Sequence, residues 1–285
     1  MYQLFKWLSV IGMSLLCTTV FAKQALIYLN VAEPKDQYQV DLIQFLFKDS
    51  TKYDLQVAAH KMLESRQEAE LQNGGLSVAA FAAGKDIEQR LQPVRIPILK
   101  GLLGHRIFII RDGEQDKFSK VNDFASLQDL KAGQGKLWTD TQVLRSAGIP
   151  TVVTNKYPNL FYMLEGGRFD YFPRAVHEPF SEVASRQDLN LVVEPDLMLV
   201  YPLPLYLFVG KNNTELATDI RVQLERTIAD GSFDDFFFSH PLVRDVLKKA
   251  HVKDRRVFKI DNPHLSAETP LQRPELWLDI NKIKV

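Results

Sequence analysis

The stretch that most constrains this chain is residues 158–174, PNLFYMLEGGRFDYFPR. Pro158 suits the first turn of a helix, where its missing N–H costs little. Leu160, Phe161, Met163 and Leu164 then give the i, i+3, i+4 stripe of a short amphipathic helix. Gly166 and Gly167 supply a left-handed C-terminal stop. Residues 169–172 read as a short strand closed by Pro173, which cannot donate to a ladder. Upstream, residues 150–154 (PTVVT) are another β-branched run. Strand, helix and strand in so few residues make a compact βαβ unit. It delivers Arg174 at the C-terminal end of its second strand, where open α/β sheets bind ligands. The plainer reading of Arg174 is a solvated loop charge.

The rest of the chain follows the same grammar. Residues 24–30 (QALIYLN) are a buried-type strand, and Asp36 is placed to cap a helix with Val40, Ile43, Phe45, Leu46 and Phe47 facing a core. A second strand at 53–59, a polar helix at 65–72 stopped by Asn73-Gly74-Gly75, and a third strand at 76–82 complete βαβαβ, the start of a mostly parallel, doubly wound sheet. Residues 87–111 break the rhythm: Pro93 and Pro97 exclude an ordinary helix, and 106–110 (RIFII) is an apolar strand. A fresh α/β pattern begins near Leu127, with a helix at about 140–147 before the unit described first. Residues 197–209 (LMLVYPLPLYLFV) are an extended run, too short and too proline-broken to span a membrane. Asn213 then precedes a helix at 215–229, with Leu216, Ile220, Leu224 and Ile228 on one face and Gly231 past its end. More helix follows through Phe238 and over 241–251, and the proline-bearing tail 256–285 reads as an extended closing segment.

These patterns predict an α/β protein of two lobes joined by two extended crossings, near residues 108 and 205. The first lobe takes residues 23–111 plus 206–285 and the second 112–205, leaving a hinge and a cleft. Monomer is the default for such an architecture.

Charge narrows the partners. The chain holds 35 basic and 35 acidic residues, so its formal net charge is zero and nothing electrostatic favours nucleic acid. The N-terminus reads as a removed export signal over residues 1–22, with a signal anchor as the alternative: Lys6 is followed by an apolar run at 8–21, and Val20-Phe21-Ala22 fits a small-x-small cleavage site. The one cysteine, Cys17, lies inside that signal. A mature chain from Lys23 has no disulfide and no thiol chemistry, which suits the bacterial periplasm.

Several segments, in this order, carry a resemblance: 88–97 (EQRLQPVRIP), 133–144 (GQGKLWTDTQVL), 166–173 (GGRFDYFP) and 216–233, which ends in IADGSF. Over essentially the whole mature chain the sequence resembles the type II periplasmic solute-binding proteins, in the branch of the bacterial amino-acid binders (solute-binding protein family 3). The resemblance implies a two-lobed clamshell that closes on a small molecule and hands it to a membrane transporter, or signals to a membrane sensor. It implies no cofactor and no metal. Amino-acid binders carry an arginine after a T-x-x-R motif that grips the ligand carboxylate. Arg90 falls near that position, although the threonine is absent and Asp86 stands in the motif's place; Arg95 is a second candidate. Arginine's planar fork can give a carboxylate two hydrogen bonds. The alternative is an ion pair at the surface or between lobes. In the second lobe the Gly133–Gly135 loop runs into a helix near Thr139-Asp140-Thr141, whose N-terminus attracts anions. Trp138 either stacks on an organic ligand or closes the hinge core; Asp140 is first the helix cap and second a ligand contact. The family generally places an acidic residue where this chain has Arg174. Cations on both lobes favour an acidic solute over a simple zwitterion.

An enzyme is the rival class. The chain has no G-x-S-x-G, no H-E-x-x-H and no cysteine nucleophile, and its six histidines lack metal-ligand spacing.

Overall fold

The computed structural model describes residues 22–31, 36–62 and 64–280. The expected export signal, apart from Ala22, lies outside the described residues. The chain opens with β1 (Gln24–Asn30), α1 (Gln37–Phe47), β2 (Tyr53–Lys61), α2 (Glu64–Asn73), β3 (Ala79–Ala82), α3 (Lys85–Arg90) and β4 (Leu91–Val94). It continues through β5 (His105–Arg111), α4 (Gln115–Ser119), α5 (Phe124–Gln128), β6 (Ala132–Gly135), α6 (Thr139–Ser146) and β7 (Thr151–Thr154). Then come α7 (Tyr157–Glu165), β8 (Phe172–Ala175), α8 (Pro179–Ala184), β9 (Leu191–Val193) and β10 (Leu197–Val200). The last elements are β11 (Leu205–Gly210), α9 (Thr214–Ala229), α10 (Ser232–Ser239), α11 (Pro241–Lys249) and β12 (Arg256–Lys259). Among the described residues no helix is long and apolar enough to cross a membrane.

The described strands fall into four sheets. On one side of the chain's path β1 and β2 pair in parallel, and β11 returns between β3 and β4, antiparallel to both. The stripe Leu216, Ile220 and Leu224 of α9 is buried there with Leu42, Ile43, Phe208, Phe233 and Phe237, as its helical spacing predicts. In the five-stranded sheet, β5 is the central strand. It pairs with β8 along one edge and with β10 and β9 along the other, while β12 lies outside β10. The run RIFII is apolar on both faces because both faces are covered: Arg106 through Ile110 are all buried. Beside this sheet, β6 and β7 pair in parallel and touch it through the Ala132–Tyr171 bridge.

Among the described residues the pairing is mixed, with five antiparallel ladders and three parallel ones. Strands that cross between lobes return against their neighbours, so the parallel share is smaller than the βαβαβ alternation implies. Three local readings shift. The strand expected at 169–172 forms three residues later as β8, with Pro173 and Arg174 inside it. An edge position in the ladder order tolerates that proline. The third strand, expected at 76–82 in a mostly parallel sheet, forms as β3 antiparallel to β11, while Ser77 just ahead of it hydrogen-bonds Ile27 of β1. The tail is more than a closing segment, since β12 joins the β10 edge before the chain crosses back.

Close backbone approach marks the crossings. The Tyr201 N–H donates to the Gly104 carbonyl at 3.1 Å, and a Cβ on Gly104 would fall 1.9 Å from the Tyr201 oxygen. Gly101 has φ +79°, and a Cβ there would meet the Trp277 ring at 2.7 Å, where the returning tail docks through Leu278 N–H to the Lys100 carbonyl.

Candidate ligand-binding site

Where the two crossings meet the second lobe, the fold buries a network of charges. Arg106, at the head of β5, is 2% exposed; its Nη2 donates to Asp140 Oδ1 at 2.5 Å and its Nε to the Tyr201 hydroxyl at 3.1 Å. The Tyr201 hydroxyl donates to the same carboxylate oxygen. Glu178 links this half to the next: it lies 3.7 Å from Arg106 Nη1 and 2.7 Å from Arg174 Nη2, and it accepts from the Ala175 N–H at 2.8 Å. Arg174 also donates to Glu182 from Nη2 at 2.7 Å and from Nε at 2.9 Å, and Tyr157 donates to Glu182 at 2.6 Å. The aromatic rings of Trp138, Tyr157 and Phe172 surround the Arg174 guanidinium at 5.1, 5.5 and 4.9 Å.

Two guanidiniums therefore face three carboxyl groups in one interior cluster. Burial works against the charge on both arginines, and the carboxylates outweigh it. Asp140, Tyr201 and Glu178 hold Arg106 above its ordinary pKa, and Glu178 and Glu182 do the same for Arg174. Burial, and then Glu182, push the Tyr157 phenol up, so it stays a donor.

This geometry sorts the five residues singled out in the sequence. Arg174 sits inside β8, 3% exposed and answered by two carboxylates, so it is neither a strand-end ligand hook nor a solvated loop charge. Asp140 does not cap α6; Trp138 holds the cap position, and the Asp140 carboxylate turns to Arg106. Trp138 stacks on Phe172 at 14° and 6.2 Å, inside the aromatic box. Arg90 turns outward to α2, where Glu68 takes its fork through Nε at 2.5 Å and Nη2 at 3.2 Å. Arg95 donates from Nε and Nη2 to buried Glu88 at 3.2 and 2.8 Å, and its Nη1 lies 2.8 Å from Glu268, whose side chain is 70% exposed.

Sequence reading missed Arg106, Tyr201, Glu182 and Glu268. The first three left a signal: a charge heading a wholly apolar strand, a tyrosine between apolar runs, and the i, i+4 pair Glu178 and Glu182 just after Arg174. Glu268, in an irregular tail, left none.

Contacts between the lobes gather at the starts of α3 and α6. A Cβ on Gly84 would lie 3.0 Å from Thr139 Cγ2, and Gln142 reaches Asp86 at 3.5 Å. Beside them, burial lowers the pKa of His105; Arg106 and Lys259 add to this, and its hydrogen bond to the Gly101 carbonyl opposes it. The folded state thus prefers the neutral ring, while the unfolded chain takes the proton near pH ~6.5. The stability this contributes is present above that value and is lost as pH falls through the depressed folded value. The expected result is a thermal midpoint that falls from about pH 7 to about pH 5 by less in His105→Asn than in the wild type.

No protein-family model and no curated protein sequence matches the chain. Solved structures do. The structure described for glutathione import via GshT and the cystine ABC importer TcyBC of Streptococcus mutans matches with TM-score 0.55 at 12% identity, over 76% of this chain and 94% of that one. An arginine-specific periplasmic binding protein of Salmonella typhimurium gives 0.54 at 16% identity, over 75% and 97%. An ancestral amino-acid-binding protein, described as a precursor of cyclohexadienyl dehydratase, gives 0.52 at 15% identity, over 75% and 93%. On these likenesses the chain has the fold of the periplasmic solute-binding proteins.

Proposed function

We propose that this protein is an exported, monomeric solute-binding protein that closes around a small carboxylate-bearing organic molecule and delivers it to a membrane transporter, binding it without chemical change. Its signal is cleaved after Ala22. The lobes exchange chain near residues 104 and 203, and β12 belongs with the second. The observation that carries the reading is Arg95. Arg106 and Arg174 are locked, because removing a partner from a buried pair costs about 3–5 kcal/mol. Arg95 keeps one arm of its fork on an exposed carboxylate, and an exposed pair is worth only about 0–1 kcal/mol. A solute carboxylate can take that arm at little cost. The anionic preference therefore rests on Arg95, not on Arg174.

The test is a thermal-shift screen of unfolded and refolded protein, freed of carried-over solute, against amino acids, dicarboxylates, sugar acids and short peptides. A true solute at a hundred times its dissociation constant stabilises the fold by about 2.7 kcal/mol. Hits among the acids are the expected result. A hit confined to neutral or basic solutes removes the anionic reading and keeps solute binding.

A further inference from the structure

We propose that residues 261–268 form a strap that fills a carboxylate subsite from inside, with Glu268 on Arg95 as an internal ligand that the incoming solute displaces. This rests on the reading of Arg95 given above.

The strap ties the lobes together over the seam. On the second lobe, Asn262 Nδ2 donates to the Pro202 carbonyl at 2.8 Å and His264 Nε2 meets Ser146 Oγ at 2.8 Å. On the first, the Lys85 N–H donates to the His264 carbonyl at 3.1 Å and Lys85 Nζ to the Pro263 carbonyl at 3.0 Å, before Glu268 reaches Arg95. Between β12 and the docked Trp277 the segment joins no ladder, and none of its eight residues is buried. It is held by single polar contacts, which open locally far more readily than a packed strand.

Beneath the strap lie polar groups whose hydrogen bonding is incomplete. The hydroxyl of Tyr206, a residue with no exposed surface, and that of Thr269, 5% exposed, face one another and reach no other partner among the described residues, and Glu88 Oε1 reaches none. Glu88 and Arg95 act on the Tyr206 hydroxyl through their charges. Glu268 uses one arm of Arg95 and leaves the two hydroxyls to each other. A solute carboxylate at the same place accepts from Arg95 Nη1 and from the two hydroxyls, and so outbids the resident one. Tyr206, Thr269 and Arg95 thus define the subsite, and Glu268 sets the threshold for entering it.

The experiment compares wild type with Glu268→Ala as full chains. The substituted side chain is exposed, so the fold is retained. Hydrogen exchange at the Lys85, Leu265 and Thr269 amides needs no solute, and the expected result is several-fold faster exchange in the variant. Titration with L-glutamate, glutarate and citrate is the second arm. If the strap is closed about nine-tenths of the time, its release tightens the apparent affinity about tenfold. Unchanged exchange overturns the strap. Faster exchange with equal or weaker affinity overturns the internal-ligand role and leaves the function reading intact. Faster exchange with no binding of any solute class to either protein overturns the function reading, and the internal-ligand role with it.

Discussion

Arg106→Met is expected to lower stability by about 3–5 kcal/mol, one of the largest single-residue losses in the molecule. Methionine keeps the apolar stem and the approximate length, so the core that packs against the side chain survives. What disappears is the charge facing Asp140, itself 6% exposed, which is left with the Tyr201 hydroxyl as its remaining side-chain partner. An interior carboxylate with no cation must be desolvated without compensation or must take up a proton. For a chain of this size the fall in thermal midpoint is on the order of 10 °C. Arg106→Met combined with Asp140→Leu is expected to recover most of it, since apolar residues often replace a buried pair at little cost. Arg90→Met, at an exposed pair with Glu68, should cost at most about 1 kcal/mol. Melting curves of the four proteins check the cycle.

Arg174→Leu tests the other half of the cluster and carries a pH signature. Without the guanidinium, Glu178 and Glu182 face one another in a site where both are under 10% exposed. The loss is again about 3–5 kcal/mol at neutral pH. Glu182 loses its cation and Glu178 keeps only Arg106, at 3.7 Å, so the proximity of two like charges raises the folded-state carboxyl values. A group whose folded value is raised contributes stability below its unfolded value and loses it as pH rises through the folded one. The variant is therefore expected to lie nearest the wild type at about pH 4–5 and to fall behind as pH rises towards 8. A constant deficit across that range would show that only packing was lost.

Element types and their order were legible in the sequence where periodicity was strong. The stripe of α9, the short amphipathic α7 and the apolar β5 stand where their spacing put them. Pairing was less legible, because alternation gives a strand's existence and not its neighbour: the opening elements read as a mostly parallel sheet, and β3 and β4 lie antiparallel to β11. The βαβ unit at 150–174 was right in kind, but its second strand starts at Phe172, and this slip carried Arg174 from a strand end into the interior. Arginine at a strand end and arginine in a buried salt network have the same local sequence. They differ only in Glu178, at the N-cap position of α8, and Glu182, four residues on within it, which could have been read as its counter-ions. Arg95 was visible as a candidate, whereas Glu268 was not, since nothing local marks which residue of an irregular tail will meet a guanidinium 173 positions earlier.

The central claim is that the solute's carboxylate is gripped by Arg95 and by no other arginine considered for the site. Calorimetric titration of the best acidic solute into wild type, Arg95→Gln and Arg90→Gln tests it most directly. Loss of charge-assisted hydrogen bonds worth about 1.5–3 kcal/mol predicts a ten- to hundred-fold weaker affinity for Arg95→Gln, with Arg90→Gln unchanged. The same affinity in Arg95→Gln as in wild type, or a loss confined to Arg90→Gln, would contradict it.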